Sequence, residues 1–182
     1  MSIKITFELS DADLDYFRGA FRKAKEKAKE RDEATILHLA RRAAREMSDR
    51  KLPDFVTERI QALDCLTRML EDKEWNLGGS HRKRVLQALA YFAEPADLVP
   101  DQIPVLGFLD DAIMVELVVQ ELRPEIDAYD AFCKYRDAQR ADKVEPDVMR
   151  KRLDARRRAM YARMEDRREK LQRRGGFFSI FR

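Results

Sequence analysis

Cysteine is scarce in this chain. Cys65 and Cys133 stand alone in helix-patterned stretches, without CxxC spacing or a neighbouring histidine pair. That excludes a disulfide framework and a zinc site of ordinary spacing, and it points to a reduced, cytoplasmic compartment. Glycine and proline are also sparse, six of each in 182 residues, which argues against collagenous, low-complexity and β-rich chains. There is no glycine-rich phosphate loop, and no Ser, Cys or His is set out as nucleophile and base. The first ten residues lack a basic stretch followed by an apolar run, so no secretory signal is expected.

Long apolar runs are missing too. The most hydrophobic window, Ile103 to Leu122, carries Asp110, Asp111, Glu116 and Glu121. On an insertion scale its apolar side contributes about −5 kcal/mol and four central acids cost about +10 kcal/mol, so it reads as a core helix rather than a membrane span.

What the chain does have is charge. Hydrophobic residues reach 45%, enough for one sizeable core, yet 39% of residues are charged. The 37 basic and 34 acidic side chains leave a net charge of only +3, but the two signs are segregated. Residues 150–182 hold 13 basic and 4 acidic side chains, which makes that segment +9 and leaves the preceding 149 residues at −6.

Helical periodicity dominates. Ile3, Ile5, Phe7 and Leu9 alternate with Lys4, Thr6 and Glu8, a half-buried strand pattern with no second strand to pair with. Such an arm either packs on its own body or pairs edge-to-edge with a second copy through residues 3–9. Ser10 and Asp13 form a capping-box start, and Leu14, Phe17, Phe21, Ala24 and Ala28 continue a first helix to about Arg31. The mixed-sign run from Lys23 to Glu33 reads as a solvated face. Further helices are expected from about Glu33 to Ser48, from Pro53 onward, from His81 to Ala93, from Phe108 to Leu122, from Pro124, and from Pro146 to about Arg173. The helix from Phe108 is apolar over most of its circumference and is expected at the centre. In the last helix Met149, Leu153, Met160, Met164 and Leu171 recur at spacings of four and seven, a narrow stripe suited to one neighbour. His81, beside a capping Ser80, reads as a surface residue.

The prediction is an all-α, irregular bundle of about seven helices with a strand-like arm and a long basic C-terminal helix. Its segments would be 1–79, 80–122 and 123–182.

One stretch is chemically distinctive. Residues 91–111 hold Tyr91, Pro95, Asp97, Leu98, Pro100, Asp101, Ile103, Pro104, Gly107, Asp110 and Asp111. Three prolines fix φ and block helix continuation, so this loop is built to hold a shape. Its acids admit three readings. They can cap turns and a helix start; Asp97, Asp101, Asp110 and Asp111 are hard oxygen ligands suited to a divalent metal; or they face a partner. On a helical wheel Asp111 falls on the apolar side of its helix, and Arg82 on that of the preceding one. A buried charge needs a partner, so Arg82, or Arg84, is expected to reach a carboxylate of this loop, with Arg82 and Asp111 as the buried pair.

The order Tyr, P-x-D-L-x-P-D, I-P-x-x-G-x-x-D-D, matched here by Tyr91 through Asp111, resembles the YkvA-like family, bacterial domain of unknown function 1232. The resemblance spans roughly residues 80–122. It implies a short helical hairpin core with no established activity. Similar domains are attached to membrane-embedded ubiquitin ligases, which implies a membrane-proximal role.

The basic end offers a second clue. Arg150, Lys151, Arg152, Arg156, Arg157, Arg158, Arg167, Arg168, Arg173 and Arg174 decorate one helix, followed by Gly175, Gly176 and the apolar tip Phe177, Phe178, Ile180 and Phe181. A basic helix with an aromatic tip is the two-signal arrangement of peripheral anchoring. The tip can equally fold back or enter a protein partner. Nucleic acid is disfavoured, since no reading module accompanies the charge. The chain therefore reads as a non-enzymatic interaction or scaffold module, without cofactor, docking through its tail to a protein or to the inner face of a membrane. A divalent-metal-dependent enzyme using the four Asp residues is the alternative.

Overall fold

The structure, a computed structural model, describes residues 10–48, 54–92 and 109–173, apart from the side chains of residues 28, 47–48, 54–60, 109–112 and 172. These residues form seven helices and no strand: α1 (Asp11–Ala28), α2 (Glu33–Ser48), α3 (Asp54–Glu71), α4 (Gly79–Phe92), α5 (Leu109–Glu121), α6 (Arg123–Ala141) and α7 (Pro146–Arg173). The fold is an all-α bundle. The strand-like arm at residues 3–9 lies outside the described residues.

Local chemistry sets the boundaries. Ser10 Oγ accepts the Asp13 N–H at 3.3 Å while the Asp13 carboxylate accepts the Ser10 N–H at 2.8 Å, so both orphan donors are satisfied reciprocally. α1 stops at Ala28, short of the expected Arg31, where the Lys29 and Glu30 N–H groups bond three residues back to the carbonyls of Glu26 at 3.1 Å and Lys27 at 3.3 Å instead of continuing the helical ladder. Asn76 at φ 48° and Gly79 at φ 57° turn the chain between α3 and α4. There the left-handed conformation suits glycine and asparagine.

α1 and α2 both pack on α4, α2 also packs on α3, and α6 and α7 run together as the most extensive pair. The centre belongs to α3, which meets α2, α4, α5 and α6, rather than to the more apolar α5. The reason lies in α3's inward set: Leu63, Leu66 and Met69 are fully buried and Leu70 nearly so, a stripe wide enough to serve several neighbours. Along α7, Leu153, Met160 and Met164 are buried and Met149 packs against the core, whereas Leu171 remains exposed. The stripe thus serves α6 until the final turns.

The loop between α3 and α4 is pinned rather than free. The Asp72 carboxylate accepts the N–H groups of Glu74 and Trp75, both at 3.0 Å, together with Tyr129 Oη at 3.1 Å and Arg136 Nη1 at 2.6 Å. Tyr161 Oη donates to the Asn76 carbonyl at 2.8 Å, and Arg157 to that of Glu74 at 3.2 Å. Trp75 is fully buried, its ring 5.1 Å from Phe132 and 5.0 Å from Tyr161.

Candidate functional site

Of the distinctive stretch, Tyr91 lies buried at the end of α4, its ring edge-on to Phe92 at 5.1 Å. Asp110 and Asp111 sit in the first turn of α5, with side chains outside the described set. Pro95, Asp97, Pro100, Asp101, Pro104 and Gly107 lie outside the described residues, as do Phe177, Phe178, Ile180 and Phe181. Among the described residues no three His, Cys, Asp or Glu side chains gather to hold a metal ion.

Arg82 is a half-exposed cation whose described acidic partner is Glu33 of α2, through Nε at 3.2 Å and through Nη2. Its Nη1 donates to the carbonyls of Leu70 and Leu77 at 2.9 and 3.1 Å. Arg82 thereby satisfies a last-turn carbonyl of α3 that the helix itself leaves open, while tying α2, α3 and α4 together.

The principal charged cluster joins four helices. Glu125, in the first turn of α6, has no exposed surface. Its carboxylate accepts Arg168 Nη2 of α7 at 2.8 Å and Arg84 Nε of α4 at 3.3 Å. Arg168 also holds the end of α5, donating to Glu121 Oε1 at 3.1 Å and to the Glu121 carbonyl at 2.9 Å. His81 Nδ1 lies 2.9 Å from Glu125 Oε1 and 2.7 Å from Arg84 Nη2. The first contact needs a proton on Nδ1 and the second a bare nitrogen, so one tautomer cannot serve both. His81 is buried, contrary to its expected surface position. It shares the i, i+4, i+7 register of Val85 and Ala88, and that face turns inward.

Burial pushes the Glu125 carboxyl up, but the His81 bond and the Arg168 and Arg84 charges outweigh it and hold it below the usual carboxylate range. Burial likewise raises Asp72, outweighed by the Trp75 N–H, Arg136 and Tyr129, again with a net lowering. Burial wins at Glu121, which is raised against the pull of Arg168. Carboxyls held below their unfolded values contribute stability that is fully present above those unfolded values and is lost as pH falls through the folded ones. Glu121 works in the opposite sense, but the lowered carboxyls, Asp13 and Asp32 as well as Asp72 and Glu125, outnumber it. The melting temperature is expected to fall as pH drops below about 5, and less steeply in Asp72→Asn. Identical slopes in the two proteins would remove Asp72 from this account.

Beside the cluster lies a cleft of about 410 Å³ lined by Gln120, Arg123 and Pro124 from the α5–α6 junction and by Arg167, Lys170 and Leu171 from α7. Arg167 pairs with Asp127 at 2.8 Å and Lys170 with Asp166 at 2.6 Å, all four side chains well exposed. Arg123 is exposed and has no hydrogen-bond or ion-pair partner among the described residues.

A family model described as "Protein of unknown function (DUF1232)" matches residues 83–117, which take in most of α4, the loop and the first nine residues of α5. The "Uncharacterized membrane protein YkvA" of Bacillus subtilis (strain 168) is 32% identical over 79 residues, covering 40% of this chain and 73% of that protein. The chain belongs to this YkvA-like family. No solved structure matches it. Although the YkvA relative is named a membrane protein, no described helix here is long and apolar enough to cross a membrane. The family match includes Arg84 of the buried cluster, whereas Glu125 and Arg168 lie beyond it. Sequence reasoning passed over Glu125 and read Arg168 only as one of the cations of the basic end. The available signal was register: Glu125 precedes Tyr129 and Phe132 by four and seven residues, and Arg168 follows Met164 by four and Tyr161 by seven.

Proposed function

We propose that this YkvA-like chain is a non-enzymatic helical module that docks peripherally on an anionic membrane surface through the outer face of α7 and the segment after it. The observation that carries this reading is how the arginines of α7 divide. Arg157 and Arg168 turn inward to the loop carbonyl and the buried acids. Lys151, Arg158 and Arg163 stay exposed, with no ion-pair partner among the described residues. Cations left in water near an acidic leaflet each contribute about 1 kcal/mol. The apolar residues Phe177, Phe178, Ile180 and Phe181 follow directly in the sequence and add about 1.5–3 kcal/mol each where fully buried. The YkvA relative's name supports a membrane setting.

Co-sedimentation with phosphatidylcholine vesicles containing about one third phosphatidylglycerol tests the reading. The full chain is expected to pellet with these and not with phosphatidylcholine alone. A 1–174 truncation should partition at least about tenfold more weakly, since the apolar term is removed. Both forms remaining in the supernatant would remove the membrane and leave the tail to a protein partner.

A further inference from the structure

The cleft at the end of α7 has a composition that neither the fold nor the buried cluster explains. Arg167, Lys170 and Leu171 occupy one face of α7 at i, i+3 and i+4, while Gln120, Arg123 and Pro124 repeat that spacing across the α5–α6 junction. Three cations therefore ring a small apolar floor, and 43% of Leu171 is left in water. Two of the cations are held only by exposed ion pairs, which are weak and readily exchanged. The third, Arg123, has no described partner. An occupant suited to this lining carries an anion for the rim and an apolar portion for Leu171 and Pro124. Residues 174–182 of the chain itself meet only half of that requirement, because they hold Arg174 and Arg182 and no acidic side chain.

We infer that this cleft binds the headgroup of an acidic phospholipid, with the phosphate among Arg123, Arg167 and Lys170 and the first acyl carbons against Leu171. The inference deepens the membrane-docking reading and rests on it. A headgroup site would set the orientation of α7 on the surface, which general charge attraction does not do.

Isothermal titration of the full chain with a short-chain phosphatidylglycerol below its micelle concentration tests the cleft without any membrane. Binding is expected, with short-chain phosphatidylcholine and inorganic phosphate each at least about tenfold weaker, as loss of the net anion or of the apolar contact requires. Arg123→Gln with Lys170→Gln should weaken phosphatidylglycerol at least tenfold. Arg22→Gln with Lys23→Gln, which removes the same charge from exposed positions on α1, should leave it unchanged. Leu171→Asn should weaken the lipid but not inorganic phosphate. Absence of lipid binding, inorganic phosphate binding as tightly as the lipid, or equal losses in the two double variants would each overturn the cleft. Vesicle binding without short-chain lipid binding refutes the cleft and spares the docking reading. Short-chain binding without vesicle binding does the reverse.

Discussion

Glu125→Gln is expected to destabilise the fold by about 3–5 kcal/mol, the cost of removing one member of a buried ion set. Glutamine preserves shape, so the loss reports charge rather than a cavity. With Glu125 neutral, Arg84 and Arg168 would share only the Glu121 carboxylate. Both guanidiniums are largely buried, 19% and 12% exposed, and Arg168 Nε already has no bonding partner. The cluster therefore has no spare anion to offer. Urea denaturation measures the effect, and a double variant with Arg168→Gln should lose less than the sum of the single losses, by about 0.5–3 kcal/mol. A loss below about 1 kcal/mol in Glu125→Gln would mean that the cluster is solvated and behaves like a surface pair.

Trp75→Ala should cost a similar amount, about 3–5 kcal/mol, for a different reason. The indole fills the space where the α3–α4 loop meets α6 and α7, with Tyr129, Phe132 and Tyr161 around it at 5.7, 5.1 and 5.0 Å. Removing it leaves a void among three rings that are tied to the helices and to loop carbonyls, so collapse is limited. Trp75→Phe separates volume from polarity. The indole Nε1 is buried without a hydrogen-bond partner, so phenylalanine forfeits no bond and should retain most of the stability. Circular dichroism is the appropriate probe, since Trp75 is the single tryptophan. A Trp75→Ala loss confined to α6 and α7 in hydrogen exchange would locate the damage at this joint, whereas uniform exposure would show that the seven helices unfold as one unit.

Much of the bundle was legible in the chain because helix boundaries are decided locally. Ser10 with Asp13, Pro146, and the Asn76 to Gly79 turn act over three or four residues, the range over which backbone donors must find partners. The inward stripes of α1 and α7 were legible for the same reason: a period of 3.6 states which side chains share a face. Centrality was not. The apolar circumference of α5 suggested the middle of the bundle, but position depends on how many faces the neighbours can cover, and α3 meets more of them.

The charged residues show where local information ends. From the sequence alone follow the helices and their caps, the −6 body and +9 end, the scarcity of cysteine and the motif from Tyr91 to Asp111 that marks the family. Register also places a charge on the inner face at Arg82, Glu125 and Arg168, whereas His81 read as a surface residue. Only the tertiary structure decides what each meets: Glu33 for Arg82, and the joined set of Arg84, His81, Glu121 and Arg168 around Glu125. A helical face specifies direction from its own axis, while an ion pair between helices requires two such faces, 40 or more residues apart in these cases, to arrive within about 3 Å. That meeting is set by how the helices pack.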